Sequence, residues 1–370
     1  MNPTKILGAG AICAAAIAPL TGHAQVSGDA SAVSIYGVID IGVTHVNNVG
    51  GGSVTRLDDG IAQGSRLGFR GREDLGGGRA AVFNLEMGIA SDTGALRQGG
   101  LAFGRASFVG ISDAQWGTFT AGRQVDQQIV TLLRFHPALN GGIYGVTPGD
   151  ADRIAGNWLD NSLVYASPDF SGLKFSIQRA LSENQTSSTN KGNAWSGGVS
   201  YGNGPFNIGY ATTHIDGLTI LPGALFGVSK FFGAALPTPA TPATVSRYGT
   251  QGLGASYAIG GATVAALTTR TNYESASGAR EAMKTLGFSV SYRLGNLLLS
   301  AGIQRAKLDP SAWTTANVVA DYFLSKRTDA YVSLNTQHAS GPGTHAVLAL
   351  NSPSSDDKQS AIRVGFRHRF

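Results

Sequence analysis

The C-terminal stretch Ser360–Phe370, S-A-I-R-V-G-F-R-H-R-F, carries a two-residue alternation that decides the fold. One face of such a strand is apolar and the other basic: the apolar face holds Ile362, Val364, Phe366 and Phe370, and the basic face holds Arg363, Arg367 and Arg369. A transmembrane β-barrel accounts for both faces, because lipid covers the apolar one and a water-filled interior accepts the arginines. We predict that this strand closes a barrel on the first strand, with Phe366 and Phe370 at the closure, since hydrocarbon tolerates no open sheet edge.

Composition agrees with a barrel. The chain has 370 residues, of which 52 are glycine and 14% are charged, and its mean hydropathy is +0.01. A soluble protein carries about a quarter charged residues, and a helical membrane protein shows apolar runs of about 20 residues. The net charge of +5 is small and dispersed, so no nucleic-acid partner is expected.

The N-terminus has the pattern of a secretory signal peptide. Lys5 precedes an apolar core, and Gly22 and Ala24 are the small residues before a cleavage site. We predict a signal peptide over residues 1–24 and one transmembrane β-barrel domain over residues 25–370. The only cysteine, Cys13, lies in the leader, so no disulfide or thiol chemistry is expected in the mature chain.

From Ser31 onward the chain repeats an alternating strand, a tight turn and a longer loop. We count about sixteen strands, an even number as such barrels require. The fold class is therefore all-β, an antiparallel transmembrane β-barrel. Long polar loops are predicted at Val46–Gly64, Leu181–Lys191 and Gln337–Lys358.

Two further loops are unusual. The loop from Gln124 to Trp158 is far longer than a compact domain keeps without a purpose, and it carries Asp126, Asp150 and Asp152. The loop Gly217–Thr244 is rich in Pro, Ala and Phe, which the sequence pattern does not explain.

A set of short motifs, in order along the mature chain, resembles the Gram-negative general porins, the trimeric sixteen-stranded diffusion channels. The motifs are S-R-L-G-F-R-G-R-E-D-L-G-G-G at 65–78, F-G-R at 103–105, G-T-F-T-A-G-R-Q at 117–124, N-S-L-V-Y-A-S-P-D-F-S-G at 161–172, Y-F-L-S-K-R-T at 322–328 and V-G-F-R-H-R-F at the end. Tyr36-Gly37 and Asp40 in the first strand belong to the same set.

The resemblance implies a fold and a site. One long loop, by position Gln124–Trp158, folds into the lumen and faces basic residues on the opposite wall. The implied basic wall holds Arg66 and Arg105, with Arg70, Arg123 and Arg153 as further candidates, and the inserted loop contributes Asp126, Asp150 and Asp152. Arginine facing lipid at the bilayer midplane would cost about 2–4 kcal/mol, which also favours the lumen or the rims for these side chains.

The resemblance also implies a location and partners. These are the Gram-negative outer membrane and its lipid, a homotrimer, and small hydrophilic solutes and ions that diffuse passively. The strands from Phe103–Ser112 through Leu159–Ser167 alternate poorly, so we predict that they form the subunit contact.

Charge on the inner face predicts a weak preference for anions. Alternation turns inward the basic residues Arg66, Arg70, Lys174, Arg293, Arg363 and Arg367, with Arg105 joining them. The acidic candidates are fewer: Asp40, Glu86 and Asp321, together with the aspartates of the inserted loop. Rings of basic side chains in a pore admit anions.

Other functions have weaker support. A substrate-selective porin for sugars or organic acids is the alternative, and an outer-membrane hydrolase or adhesin is a third hypothesis. His338 and Ser340 lie close in sequence, but Gly341 and Gly343 make a flexible loop tip more natural there than a rigid catalytic site. The histidines show no metal spacing, so we expect no enzymatic activity, no metal and no cofactor.

Overall fold

The last strand closes the sheet on the first, as predicted. In the computed structural model, which describes residues 31–147, 157–182 and 192–370, residues 361–369 pair antiparallel with residues 38–46. The main-chain groups of Phe370 and Gly37 add two hydrogen bonds of 3.0 and 3.1 Å. The predicted signal peptide lies outside the described residues.

Strands dominate the described chain. They are β1 (Ala32–Val49), β2 (Gly52–Asp59), β3 (Arg66–Gly76), β4 (Arg79–Ala90), β5 (Ala95–Leu96), β6 (Ala106–Asp113), β7 (Gly117–Val125), β8 (Trp158–Ala166), β9 (Leu173–Ala180), β10 (Ala194–Asn203), β11 (Phe206–Ile220), β12 (Lys230–Phe231), β13 (Ala234–Ala235), β14 (Ala243–Ile259), β15 (Ala262–Glu274), β16 (Arg280–Leu294), β17 (Leu297–Leu308), β18 (Ser311–Phe323), β19 (Thr328–Ser340) and β20 (Lys358–Arg369). Two short helices, α1 (Gln127–Leu132) and α2 (Pro222–Phe226), lie in loops. Within the described ranges no helix has the length and apolar content needed to cross a bilayer.

The barrel wall has the sixteen strands that the sequence predicts. The closed sheet contains eighteen strands among the described residues. Of these, β2 continues the line of β3 along the same edge of β1, and β5 has two residues. Removing those two from the count leaves sixteen wall strands, each antiparallel to its neighbours.

The alternation of faces is confirmed along the closing pair of strands. The outward side chains of Val33 and Val364 are 69% and 60% exposed, whereas the inward Asp40 and Arg363 are 0% and 1% exposed. Apolar groups therefore cover the outside, and charged groups meet inside.

The predicted polar loop Val46–Gly64 is wrong. Gly50 and Gly51 take positive φ angles of 64° and 102° and make a tight turn, after which β2 pairs with β1. Thr55 and Leu57 then point outward while Arg56 and Asp58 point inward. Residues 60–65 leave the wall and are buried inside. The loop predicted from Gln337 begins later in the structure, because β19 runs on to Ser340.

The described part of the long loop after β7 contacts inward-facing wall residues. Gln127 N donates to Ser196 Oγ on β10 (2.9 Å), and Gln128 Nε2 donates to Thr250 Oγ1 on β14 (3.0 Å). Further along, Gln304 Nε2 on β17 donates to the Gly145 carbonyl (2.6 Å). The loop thus follows the inner surface of the wall from β10 to β17.

Glycines make room for this contact. A Cβ atom at five of six inward positions would overlap the loop residues Thr131, Leu132, Phe135 or Pro137, and at the sixth, Gly209, it would come within 3.0 Å of Thr131 and Phe135. We call these six glycines the glycine seat: Gly198, Gly209, Gly252, Gly254, Gly287 and Gly302. Glycine is needed here for close approach rather than for a turn.

The apolar loop between β11 and β14 folds into a hydrophobic cluster. Phe226 of α2 and Phe231 of β12 pack with ring centroids 5.9 and 5.6 Å from that of Tyr273 on β15, and Trp313 on β18 is fully buried in the same cluster. The loop after β19 joins it, since His345 N donates to the Gly227 carbonyl (2.8 Å). The apolar residues of this loop thus form part of a small hydrophobic core at the loop end of the barrel.

Candidate functional site

Two arginines share one glutamate on the inner wall. Arg105 Nε lies 2.6 Å from Glu86 Oε1, and Arg66 Nε lies 3.6 Å from Glu86 Oε2. The hydroxyl of Tyr36 is 2.8 Å from Glu86 Oε2 and from Asn84 Oδ1. Arg66, Arg105 and Glu86 have side-chain exposures of 12%, 5% and 13%. The predicted basic wall therefore has a carboxylate at its centre.

Arg70 lies on the same stretch of wall. Its guanidinium carbon is 5.1 Å from the centroid of the Tyr36 ring, a cation–π distance. Arg70 is exposed, and the part of the chain that the structure describes gives it no carboxylate partner. Two arginines thus contact a single carboxylate, and a third, Arg70, lies against the tyrosine ring that hydrogen-bonds to it and is open to the interior. We name Arg66, Arg70, Arg105 and Glu86 the arginine cluster.

A second network is centred on the closing strand. Arg363 forms an ion pair with Asp58, lies 3.5 Å from Asp40 Oδ1, and donates from Nε to the Tyr331 hydroxyl (2.7 Å). Tyr331 in turn donates to Asp40 Oδ1 (2.6 Å). Arg363 and Asp40 are fully buried, so neither charge has water as an alternative partner.

The inserted loop joins this network through Tyr144. Its hydroxyl donates to Asp58 Oδ2 (2.6 Å) and accepts from Arg56 Nη2 (2.8 Å). Burial raises the pKa of Tyr144, so the phenol stays neutral and remains a donor. The far end of the loop is therefore anchored to the wall by hydrogen bonds to charged groups.

Replacing Arg363 by Met should weaken the barrel, because Asp40 and Asp58 would lose their buried cation. Breaking a buried ion pair costs about 3–5 kcal/mol. The measurement is the folded fraction in urea, read as gel mobility. Arg70→Met removes the same charge from an exposed position on the same inner face and should leave the urea midpoint unchanged. Equal midpoints for the two variants would contradict the role of Arg363.

A third group of charges lies near the C-terminus. Arg367 Nη2 is 2.8 Å from Asp321 Oδ2 and from Asp329 Oδ1, and Arg369 Nη1 is 2.7 Å from Asp329 Oδ2. Arg363, Arg367 and Arg369 of the closing strand are thus balanced by carboxylates.

Sequence reasoning missed three of these charged residues. Arg56 and Asp58 lie in the segment 46–64 that the sequence analysis predicts as a loop. The alternation of polar and apolar residues in T-R-L-D at 55–58 is the signal that would have indicated a strand there. Asp329 opens β19 and pairs with Arg367 across the sheet, and strand alternation from Thr328 would have turned it inward.

Arg123 does not belong to the inner wall. Arg123 follows Phe119 and Ala121 on one face of β7 and is in register with Ser107 on β6. The bulge in the pairing of β7 with β8 adds its extra residue to β8. Ser107 shares the outward face of β6 with Val109, so Arg123 points outward. There it donates to the Gly104 carbonyl (2.8 Å) and pairs with Asp160.

Asp126 anchors the start of the loop and is shielded from the open channel. It caps α1 by accepting from Ile129 N (3.3 Å), and it accepts from Thr213 Oγ1 on β11 (2.9 Å). The residue is fully buried, and burial raises the pKa of Asp126 to about 7. The other predicted site residues of this loop, Asp150, Asp152 and Arg153, lie outside the described residues.

The raised pKa of Asp126 gives loop docking a pH dependence. A carboxyl whose folded pKa is raised stabilises the docked loop below its unfolded pKa, and that contribution is lost as pH rises through about 7. Proteolysis between residues 124 and 158 should be several-fold faster in the wild type than in Asp126→Asn at pH 8, and the two rates should converge as the pH falls below the ordinary carboxyl pKa of 3.8. The Asn variant keeps a capping oxygen and corrects for the pH dependence of the protease. A constant ratio across this range would exclude the ionisation of Asp126 as the cause.

Two other predicted inward cations lie away from the clusters. Lys174 Nζ is 3.0 Å from Asp169 Oδ2 at a turn, and the Arg293 guanidinium carbon is 4.4 Å from the centroid of the Phe323 ring.

His338 Nε2 lies 2.9 Å from Asp357 Oδ2, while the Ser340 hydroxyl donates to the Ala312 carbonyl (3.4 Å). Over the described ranges no three side chains group as metal ligands would.

A closed barrel with an apolar exterior and charged clusters inside is the architecture of a transmembrane channel. A sequence model of the Gram-negative porins matches residues 9–342. The chain belongs to this family, and it is an outer-membrane porin that crosses the membrane as a multi-pass barrel.

Individual relatives agree with the family. An outer membrane porin protein of Bordetella pertussis is 28% identical over 417 residues, covering 97% of this chain and 99% of that protein. Outer membrane porin protein 32 of Delftia acidovorans is 28% identical over 362 residues, covering 92% and 94%. Among solved structures, an anion-selective porin from Comamonas acidovorans superposes with a TM-score of 0.75 at 25% identity, covering 92% of this chain and all of that one.

Proposed function

We propose that this porin is a passive diffusion channel for small hydrophilic solutes and that it weakly prefers anions. The observation that supports this most is the arginine cluster, in which two arginines share one carboxylate and Arg70 lies beside them over the Tyr36 ring. Fixed positive charge in a narrow passage raises the local concentration of anions. The similarity to a porin described as anion-selective points the same way.

Single-channel recording in a planar bilayer tests the proposal. We expect ohmic conductance, and under a KCl gradient a zero-current potential whose sign shows chloride preferred over potassium, most clearly at low salt. Potassium preference would refute the charge assignment. Saturable block by a sugar or an organic acid would instead indicate a substrate-selective porin.

We also propose a homotrimer that assembles through β6, β7 and β8. The outward side chains of Val109, Ile111 and Phe119 are 61%, 56% and 62% exposed. A groove of about 440 Å³, lined in part by Val33, Phe83 and Val109, lies beside them. A neighbouring subunit would bury this apolar surface and fill the groove.

Engineered cysteines can test the trimer directly, because the native chain has cysteine only at position 13. Val109→Cys should cross-link subunits covalently in mild detergent. Val290→Cys, on the outward face of β16 and 45% exposed, is the matched control and should give no cross-link. A native mass of one chain would exclude the trimer, and equal cross-linking at both positions would exclude the proposed face.

A further inference from the structure

Basic side chains are concentrated on one sector of the barrel's outer surface. Four exposed basic side chains face outward on the adjacent strands β15, β16 and β17: Arg270, Lys284, Arg305 and Lys307. We call these four residues the basic patch. Arg270 is directly opposite Lys284, and Lys284 is directly opposite Lys307. Like charges in directly opposed positions destabilise a sheet, so this arrangement has an energetic cost unless something anionic lies over it.

Nearby acidic groups do not neutralise the patch. Lys307 Nζ lies 3.4 Å from Asp309 Oδ1, but these side chains are 59% and 85% exposed, and such surface pairs contribute little. Glu274 pairs with Arg247 and Arg280. The described part of the chain offers no carboxylate to Arg270, Lys284 or Arg305.

The height of the patch places it beside lipid headgroups. The short turns mark one rim, and Tyr257, Tyr292 and Tyr322 form an exposed outward band next to it. Lys284 is eight residues from Tyr292 on β16, which is roughly 27 Å along a strand, or roughly 20 Å in height at the usual tilt, against an apolar band about 25 Å tall. Leu286 and Ile303 are the last large outward apolar side chains before the patch.

Strong basic charge is densest in this sector. At the same end of β19 and β20, the outward residues are Thr336, His338, Ser360 and Lys358. Only Lys358 among them is strongly basic, and it follows Asp357, whose Oδ2 lies 2.9 Å from His338 Nε2. The patch also lies across the barrel from β6–β8, so it would face lipid in a monomer and in the proposed trimer alike.

We propose that the basic patch binds the phosphate groups of an anionic lipid in the outer leaflet of the membrane. Arginine binds phosphate through two parallel hydrogen bonds, and lysine adds a point charge. Arg270 and Lys307 are separated by two interstrand spacings, about 10 Å, which matches one phosphorylated headgroup. The acyl chains would then lie along the apolar residues below, beginning with Leu286 and Ile303.

Bisphosphorylated lipid A is a suitable probe, titrated into the folded protein in detergent and followed by native mass spectrometry. The triple variant Arg270→Gln, Lys284→Gln, Arg305→Gln should bind at least about 30-fold more weakly, since each cation near an anionic surface contributes about fivefold. The control triple Arg79→Gln, Lys326→Gln, Arg327→Gln removes the same charge from the opposite rim and should bind like the wild type. Gel mobility shows that each variant is folded.

Three results would overturn the proposal. The first is binding by the patch variant within twofold of wild type. The second is equal binding of lipid A from which the phosphates have been removed. The third is complete displacement of the lipid by millimolar inorganic phosphate, which would assign the patch to free anions. Arg270→Lys with Arg305→Lys keeps the charge but loses the two-bond geometry, and should bind at an intermediate level.

Discussion

Deletion of residues 366–370 is expected to abolish the folded form of this porin almost completely. These residues supply half of the pairing between β20 and β1 and reach β19 on the other side. Without them, main-chain groups on two strands face hydrocarbon unpaired, and each costs several kcal/mol. The deletion also removes Arg367 and Arg369, so Asp321 and Asp329 would lose the cations that pair with them.

Phe370→Ala distinguishes the contribution of the backbone hydrogen bonds from the contribution of the aromatic side chain. It keeps the hydrogen bonds to Gly37 and removes only the ring that covers that glycine, so the loss of folded protein should be partial. The measurement is the fraction of heat-modifiable protein in outer membranes. A truncated chain that folds at wild-type levels would show that closure depends on another part of the barrel.

Substitutions in the arginine cluster should shift ion preference in opposite directions. Glu86→Gln removes the only carboxylate and should strengthen anion preference, whereas Arg66→Ala or Arg105→Ala should weaken it. A unit charge about 6 Å from a passing ion in a water-like dielectric contributes about 0.7 kcal/mol, roughly a threefold change in permeability ratio. Salt should reduce each effect.

The zero-current potential under a KCl gradient measures these shifts. Asp309→Asn is the matched control, because it changes the charge by the same amount at a residue that is 85% exposed and paired with an outward lysine. Removing one arginine leaves the other on Glu86, so the barrel should stay folded. Shifts of the same sign for Glu86→Gln and Arg66→Ala would mean that the cluster does not set selectivity.

Strands and their faces could be predicted because a period of two is a local property of the chain. Asp40, Glu86, Arg66 and Arg363 all face inward as alternation indicates. The same rule places Arg123 on the outward face of β7 with Phe119 and Ala121. Its predicted place on the inner wall rested on the resemblance alone, and the structure does not support it.

The contacts of the loops could not be predicted. Tyr144 and Asp58 are 86 residues apart and meet only because the loop crosses to the far wall. The resemblance predicts Asp126 as a charge at the constriction, but the residue is buried against Thr213 and caps a helix. Neither contact can be predicted from the neighbouring sequence, because each depends on which wall strand lies opposite the loop residue.

The glycine seat has a consequence for the design of new channels. The loop and the inner wall are sterically complementary, because the wall has glycine at the positions that the loop side chains contact. Transplanting residues 124–158 into another barrel would bring Phe135 and Pro137 against side chains where this wall has none. A chimera that exchanges pore size between porins should therefore carry the six wall glycines together with the loop.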